Sequence, residues 1–475
     1  MKELLIGRAS EIQLLESYLQ SDKSEFIAVY GRRRVGKTFL IRQVIGDRAC
    51  FAMSGMDNVS TNEQLLNFAL TFQRYFNAFV KPANWLEAFV LLIEHISQLP
   101  QGQKIIFIDE MPWMDTANSR FISSLEHFWN DWASARDDIK LIVCGSATSW
   151  MMDNLINNHG GLHNRVTHQI LLEPFTLREC KEYFDRHEFG LSDRELVDCY
   201  MILGGIPYYY SLMRKEESVA QNIDRLFFSA TGELRNEMNN LFRSLFRHSD
   251  AHLTIVKALS KKSKGLTRSE LIEAAKLHNN SHLTRVLNEL EYCRFIRCYE
   301  DYSHKKRQTT YQLIDAFVHF YYSVIASNQF HDEQYWSHSI LSPIYNTWSG
   351  LAFEILCFNH IRQIKVALGI SGIQSNVYSW RSPKTTDTIG KGAQIDMIID
   401  RADNCINVCE IKFVMDKFVI TKSYEESLRN KLYQFSQTIG KKKTLRLTLL
   451  STYGLQQNSH SGIVQNEIVL SDLFK

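Results

Sequence analysis

The sequence predicts a multidomain α/β chain, and three observations carry that prediction. Short apolar runs at 26–30 (FIAVY), 104–110 (KIIFIDE) and 140–147 (KLIVCGSA) read as strands buried on both faces, as in a parallel sheet covered by helices. After Pro174 such runs cease, and LRECKEYFDRHEFG and DRELVDCYMIL are helical in period. The length of 475 residues exceeds what one hydrophobic core supports, about 250 to 300 residues, so three or four domains are expected.

In chain order, the first domain is expected at 1–172. Its three strands alternate with amphipathic helices at 62–79 and 121–135, the signature of a doubly wound sheet. A helical domain is expected at 173–245. The stretch 246–330 gives a helix, a turn GLTRSELIEAAKL, a second helix and a hairpin with a polar tip, the pattern of a winged helix followed by an aromatic connecting helix. The last domain, 331–475, begins with the helix WSGLAFEILCFNHIRQI. Runs GAQIDMIID, INVCEIKFV and LRLTLLST follow, with a helix at 424–439, so a mixed α/β domain is expected.

Composition sets limits. Hydrophobic residues at 45% and charged residues at 22% are those of an ordinary globular protein. With 54 basic and 52 acidic residues the net charge is +2, so any nucleic-acid contact requires a local basic face. Three basic clusters offer one: Lys261, Lys262 and Lys264; Lys305, Lys306 and Arg307 at the hairpin tip; and Lys441 to Lys443. Each is also what a solvated turn looks like. The 9 cysteines lack zinc spacing and read as reduced core residues. No run approaches the ~18 apolar residues of a membrane span and none opens the chain as a signal peptide, so a cytoplasmic protein without membrane contact is expected.

The chemistry begins at Gly31, Gly36, Lys37 and Thr38, which fit G-x-x-x-x-G-K-[ST] between an apolar run and a helix. Glycines let backbone N–H groups wrap phosphates at a helix N-terminus, the lysine neutralises β and γ oxygens, and the threonine hydroxyl ligates magnesium. The partner is IIFIDE, where Asp109 holds the magnesium shell and Glu110 polarises the attacking water. Alone it would be a strand end capped by acids; paired with a phosphate loop it is read as catalytic. Ser146, at the end of the third run, is placed to sense the γ-phosphate. Arg165 is a candidate arginine contact to that phosphate, from the same chain or a neighbouring copy, and equally an ordinary surface arginine. Arg32, Arg33 and Arg34 support no assignment, because the variable positions of such loops often face solvent. ATP, ADP and Mg2+ are the expected ligands, and a nucleotide-dependent homo-oligomer is an open expectation.

LLIGRASE, GRRRVGKT, IIFIDEMPW, LIVCGSATSWM, RVTHQILLEPFTLRE and LGGIPYYY together resemble archaeal-type ATPases of the STAND class, over roughly residues 4 to 320. The resemblance implies a P-loop NTPase with a helical lid whose Gly205 and Pro207 pack by the adenine and report nucleotide state to the winged helix. It also implies that Gly7, Arg8 and Glu11 close over the base. Many members carry Arg-Glu after the glycine, whereas here Ala9 follows Arg8 and the acid comes at Glu11.

Beyond residue 350 a second constellation forms. Glu354 lies on a helix, Asp396 in GAQIDMIID, and Glu410 with Lys412 in INVCEIKF, where strand alternation puts both on one face. Asp396 and Glu410 suit a magnesium or manganese ion, and Lys412 suits orientation of water or of phosphate. The pattern resembles the PD-(D/E)XK nuclease superfamily, a restriction-endonuclease-like fold, with Glu354 matching the core-helix acid and Lys431 and Gln434 on the following helix. Asp138, Ile139 and Lys140 meet the same short expression inside the first domain and serve as a decoy.

Two readings follow: an ATPase whose nucleotide state controls a metal-dependent nuclease acting on nucleic acid, DNA first among the expectations and defence against foreign DNA an analogy; or a signalling ATPase whose terminal domains bind nucleic acid or protein without cutting. The intact Asp396, Glu410 and Lys412 favour the first, and the balanced net charge the second.

Overall fold

The computed structural model describes residues 5–157, 162, 164–246, 248–262, 264–300, 302, 309–326, 332–340, 342–382, 393–439 and 443–475. The hairpin-tip residues Lys305, Lys306 and Arg307, and Lys441 and Lys442, lie outside them. Packing divides the chain into two compact units, 1–174 with 243–247, and 175–242 with 248–475.

The first unit is built on five parallel strands: β1 (Glu25–Tyr30), β2 (Ala49–Ser54), β3 (Lys104–Asp109), β4 (Ile139–Gly145) and β5 (His168–Leu171), in the order β2-β3-β4-β1-β5. Strand alternation explains the layers. Phe26 and Ala28 face a cluster containing Leu65, Phe68 and Phe72 of the helix Thr61–Phe76 and Trp85, Phe89 and Leu92 of the helix Trp85–Ser97. Ile27 and Val29 face Leu15 and Leu19 of α1 (Ala9–Leu19) and Ile41 and Ile45 of α2 (Lys37–Ile45). The three central strands are the apolar runs of the sequence. The two edges, β2 and β5, are half exposed and so carry no such run. Where one helix is expected over 121–135, the regular α-helix is Phe121–His127, continued by a π-turn and a 3-10 turn to Ala135.

In the second unit, the helices Leu177–Arg186 and Asp193–Leu203 each open on a capping box, Thr176 with Glu179 and Ser192 with Glu195, each cap worth about 1 kcal/mol. The helices Asp250–Leu259, Arg268–Ala275 and Ser281–Tyr292 accompany an antiparallel sheet of β6 (Leu266–Thr267), β7 (Ile296–Glu300) and β8 (Thr309–Leu313), in the order β6-β8-β7. The terminal sheet contains β9 (Ser375–Arg381), β10 (Gln394–Arg401), β11 (Cys405–Lys412), β12 (Thr444–Ser451) and β13 (Asn466–Val469), in the order β13-β12-β11-β10-β9. Its pairs are antiparallel from β9 to β11 and parallel from β11 to β13. The helix Lys422–Ser436 covers one face through Leu428 and Phe435. The helix Pro343–Asn359 brings Phe353 to within 5.0 Å of Phe413 just beyond β11.

Candidate functional site

The sheet order places β4 between β1 and β3, so the loops after all three open at one edge, where their C-terminal ends meet. The phosphate loop there is shaped by backbone that only glycine tolerates. Gly31 has φ +145° and an added Cβ would stand 2.3 Å from the Leu172 carbonyl oxygen; Gly36 has φ +94°. Lys37 Nζ donates to the carbonyls of Gly31 and Arg32, both at 3.0 Å, which holds the ammonium within the curve of the loop. Thr38 Oγ1 donates to Asp109 Oδ1 at 3.0 Å, across 71 residues of sequence.

Asp109 is buried, and the same oxygen accepts from the Glu110 N–H at 3.0 Å and from Cys144 Sγ at 2.8 Å. Burial pushes the Cys144 thiol well up, so it acts as a donor. Glu110 adopts left-handed backbone, φ +45°, which turns its carboxylate toward β4. There it accepts from the Ser146 N–H at 3.1 Å and the Ser146 hydroxyl at 2.9 Å. The donor set suits ATP with magnesium: a hydroxyl and a carboxylate already paired, an ammonium inside a glycine loop, and a second carboxylate beside them. Bound there, the ion would neutralise phosphate charge.

The N-terminal segment braces this loop. Arg8 is buried, donates to the Val35 carbonyl at 3.2 Å, and pairs with Glu11 at 3.8 Å. Glu11 thus lies one helical turn on from Arg8, on the same face of the segment. Arg32 is buried in the loop, whereas a solvent-facing side chain is the common expectation there.

Arg165 requires a correction. Thr167 N–H donates to the Phe26 carbonyl and β5 runs parallel to β1, so Arg165 lies beside the start of β1. The phosphate loop follows its end. The six residues of β1, at about 3.3 Å each, separate the two by roughly 15–20 Å, and the exposed Arg165 side chain cannot serve its own chain's phosphate site. The decoy at 138–140 is structural: Asp138 pairs with Arg136 at 2.7 Å, and Lys140 donates to the Ser21 carbonyl.

Gly205 and Pro207 lie in the second unit. Gly205 has φ +70°, and a Cβ there would stand 2.4 Å from the Phe175 oxygen. Pro207 opens the short helix Pro207–Tyr210.

The C-terminal constellation assembles on β10 and β11. Met397 faces Cys409, which brings Asp396 beside Glu410, and the Ile411 N–H donates to Asp396 Oδ2 at 3.0 Å. The register of β10 against β9 shifts between Ile395 and Ile398, the stretch that contains Asp396. Glu410 is clasped by Lys431 at 2.8 Å, by Lys412 at 2.9 Å and by the Tyr424 hydroxyl, which donates to it.

Glu354 joins the cluster through a residue that the sequence does not single out for this purpose. Lys264 Nζ lies 2.6 Å from Glu354 and 2.8 Å from Asp396. Burial alone would lower the Lys264 pKa, but the two carboxylates overturn that and hold it above its ordinary value. Burial pushes Glu354 up; at Asp396, Lys264 and Lys412 outweigh burial and pull it down. Lys264 is thus a buried ion-pair partner instead of a phosphate-contacting surface lysine, and Lys443 is likewise engaged, 2.7 Å from Asp400. Among the described residues, no three acidic, histidine or cysteine side chains converge as a metal cage. No sequence signal links Lys264 to partners 90 and 132 residues away. Cys144 and Tyr424 are also legible only in three dimensions.

A parallel sheet with a glycine loop, a half-buried Thr38 hydrogen-bonded to a buried Asp109, and a following glutamate defines a P-loop nucleotide-binding ATPase domain. Residues 5–213 match the family described as an ATPase domain predominantly from Archaea. An uncharacterized protein of Methanocaldococcus jannaschii is 25% identical over 360 residues, covering 74% of this chain and 76% of that one. An uncharacterized ATP-binding protein of the same organism is 38% identical over 45 residues, 10% of this chain and 76% of its own length. A Walker-type ATPase of Pyrococcus abyssi aligns with a TM-score of 0.45 at 19% identity, over 66% of this chain and 95% of that one. Among the described residues, no helix is long and apolar enough to cross a membrane.

Proposed function

We propose that the protein is an ATPase of the STAND class whose nucleotide state controls a C-terminal, metal-dependent phosphodiesterase of the PD-(D/E)XK kind, acting on nucleic acid, with DNA the favoured polymer. In the ATPase domain, Lys37 grips the phosphates, Thr38 and Asp109 orient the magnesium shell, Glu110 positions water, and Ser146 holds Glu110. Gly205 and Pro207 belong to the lid and 246–330 to a winged helix.

The observation that carries the nuclease reading is the cross-strand pair Asp396 and Glu410, with Lys412 on the same face at 2.9 Å from Glu410. Two carboxylates on adjacent strands can share one Mg2+ or Mn2+ ion, and the lysine can orient water or stabilise phosphate charge. Incubating the full chain with single- and double-stranded DNA and RNA, with Mn2+ and with or without ATP, tests this. Cleavage that disappears in Asp396→Asn and Glu410→Gln supports it; unchanged cleavage in both variants contradicts it.

A second reading has its own observation. Three lysines, Lys264, Lys412 and Lys431, match the three carboxylates Glu354, Asp396 and Glu410 charge for charge. A site neutralised from within suits a domain that binds nucleic acid or protein without cutting it.

A further inference from the structure

We infer that Lys264 is a built-in cation that stands where the divalent metal of the C-terminal site would sit, so that metal enters only when the segment carrying Lys264 is drawn away. The inference rests on the metal reading of Asp396 and Glu410 and adds its regulation.

The geometry is specific. An ammonium 2.6 Å from one carboxylate and 2.8 Å from another uses the oxygens that a hard cation would use. Lys264 is 9% exposed, so water does little to screen the pair. With all three lysines in place the three acids are balanced, and a divalent ion would leave the pocket with two excess positive charges. Withdrawal of Lys264 leaves the pocket with one excess negative charge, so a divalent ion then brings it to one excess positive charge instead of two. An ammonium and a metal ion therefore compete for one position.

Lys264 does not swing freely on its backbone. Its carbonyl accepts from the Tyr299 hydroxyl at 2.7 Å, and Gly265 N–H donates to Lys262 at 2.9 Å. Gly265 has φ +78°, and a Cβ there would lie 2.3 Å from the Tyr311 oxygen on β8. Lys264 is thereby fixed to the three-stranded sheet β6-β8-β7. That sheet and its helices are docked on the terminal domain at further points. Arg381 of β9 reaches Glu270 at 2.7 Å, and the Arg297 guanidinium lies 3.5 Å from the centre of the Phe358 ring. Tyr302 packs into the core under β10 and β11. Displacing the module at these contacts withdraws the ammonium as a unit, which makes docking of 246–330 the bolt on the carboxylate site.

The test is a Mn2+ titration of the nucleotide-free full chain, with free Mn2+ read by electron paramagnetic resonance. It compares the natural protein, Lys264→Met, and Lys264→Met combined with Glu354→Gln, each with and without Asp396→Asn. The double variant removes one charge of each sign, which keeps the pocket foldable if the single variant is not. The expected result is Asp396-dependent Mn2+ binding roughly tenfold or more tighter in both Lys264 variants than in the natural protein, although the double variant has one carboxylate fewer. Equal, Asp396-dependent affinity in all three would overturn the inference and leave the metal reading standing. Absence of Asp396-dependent binding in every protein would overturn the metal reading and the inference with it.

Discussion

The backbone N–H and the hydroxyl of Ser146 donate to one and the same oxygen of Glu110, at 3.1 and 2.9 Å. The glutamate expected to polarise water is therefore oriented by the residue expected to sense phosphate, and the two expectations describe one device. Glu110→Gln is expected to keep ATP binding and lose turnover by at least about 100-fold, since the amide cannot take a proton. Ser146→Ala retains the backbone donor and loses the hydroxyl, so kcat is expected to fall roughly fivefold, about 1 kcal/mol, with nucleotide Kd unchanged. Single-turnover hydrolysis beside equilibrium binding separates the two effects; a Ser146→Ala protein altered only in Kd would contradict the account.

Lys37 lies inside the phosphate loop with both short contacts to loop carbonyls, so its loss removes the charge that phosphate meets. Lys37→Ala is expected to weaken ATP binding by at least about 100-fold, measured with a fluorescent analogue. Normal binding would remove the assignment of the loop.

Arg165 sits at the far end of β1 from the phosphate loop. Arg165→Ala is expected to leave turnover of dilute protein within about twofold. A large loss in dilute protein would contradict its placement, whereas a loss that grows with protein concentration would assign Arg165 to a neighbouring copy.

Gly205 combines φ +70° with a carbonyl oxygen 2.4 Å from where a Cβ would stand. Gly205→Ala is expected to destabilise the second unit by at least about 2 kcal/mol, through both strain and collision. Chemical denaturation followed by the intrinsic fluorescence of Trp336 and Trp348, two buried tryptophans of that unit, reads this directly.

His360 and His319 are buried in the second unit, and burial pulls each from 6.5 to about 4. His360 Nε2 accepts from the Leu177 N–H at 3.0 Å, which requires the neutral ring. A lowered histidine pKa means the unfolded chain takes the proton first. The stability from each neutral ring is full above pH 6.5 and is lost as pH falls from there toward 4, by up to about 3 kcal/mol each. His360→Gln is expected to flatten the stability profile across that window; an unchanged slope between pH 6.5 and 4 would contradict it.

What the sequence made legible follows physical lines. The phosphate loop, Asp109 and Glu110 are contiguous with buried central strands, so local pattern carries them. The edges β2 and β5 lack a continuous apolar run because one side meets solvent, and they left no signal. On the C-terminal sheet, alternation put Glu410 and Lys412 on one face, but the register that sets Asp396 beside Glu410 is a property of strand pairing. Lys264 read as part of a surface cluster because its partners come from other elements far along the chain. Arg165 was read by its residue type; strand direction, which decides which end of the sheet it occupies, is fixed only by the fold.

The central claim is that nucleotide state controls a metal-dependent carboxylate site, and cleavage of DNA and RNA by the full chain tests it most directly. The measurement uses the Glu110→Gln background, with Mn2+ and with no nucleotide, ADP or ATP, and with Asp396→Asn as control. The account predicts cleavage that depends on Asp396 and differs at least about tenfold between ATP and no nucleotide, because a ligand shifts an equilibrium only by its differential affinity for the two states. Cleavage identical in all three nucleotide states, or none on any polymer in any state, would contradict it.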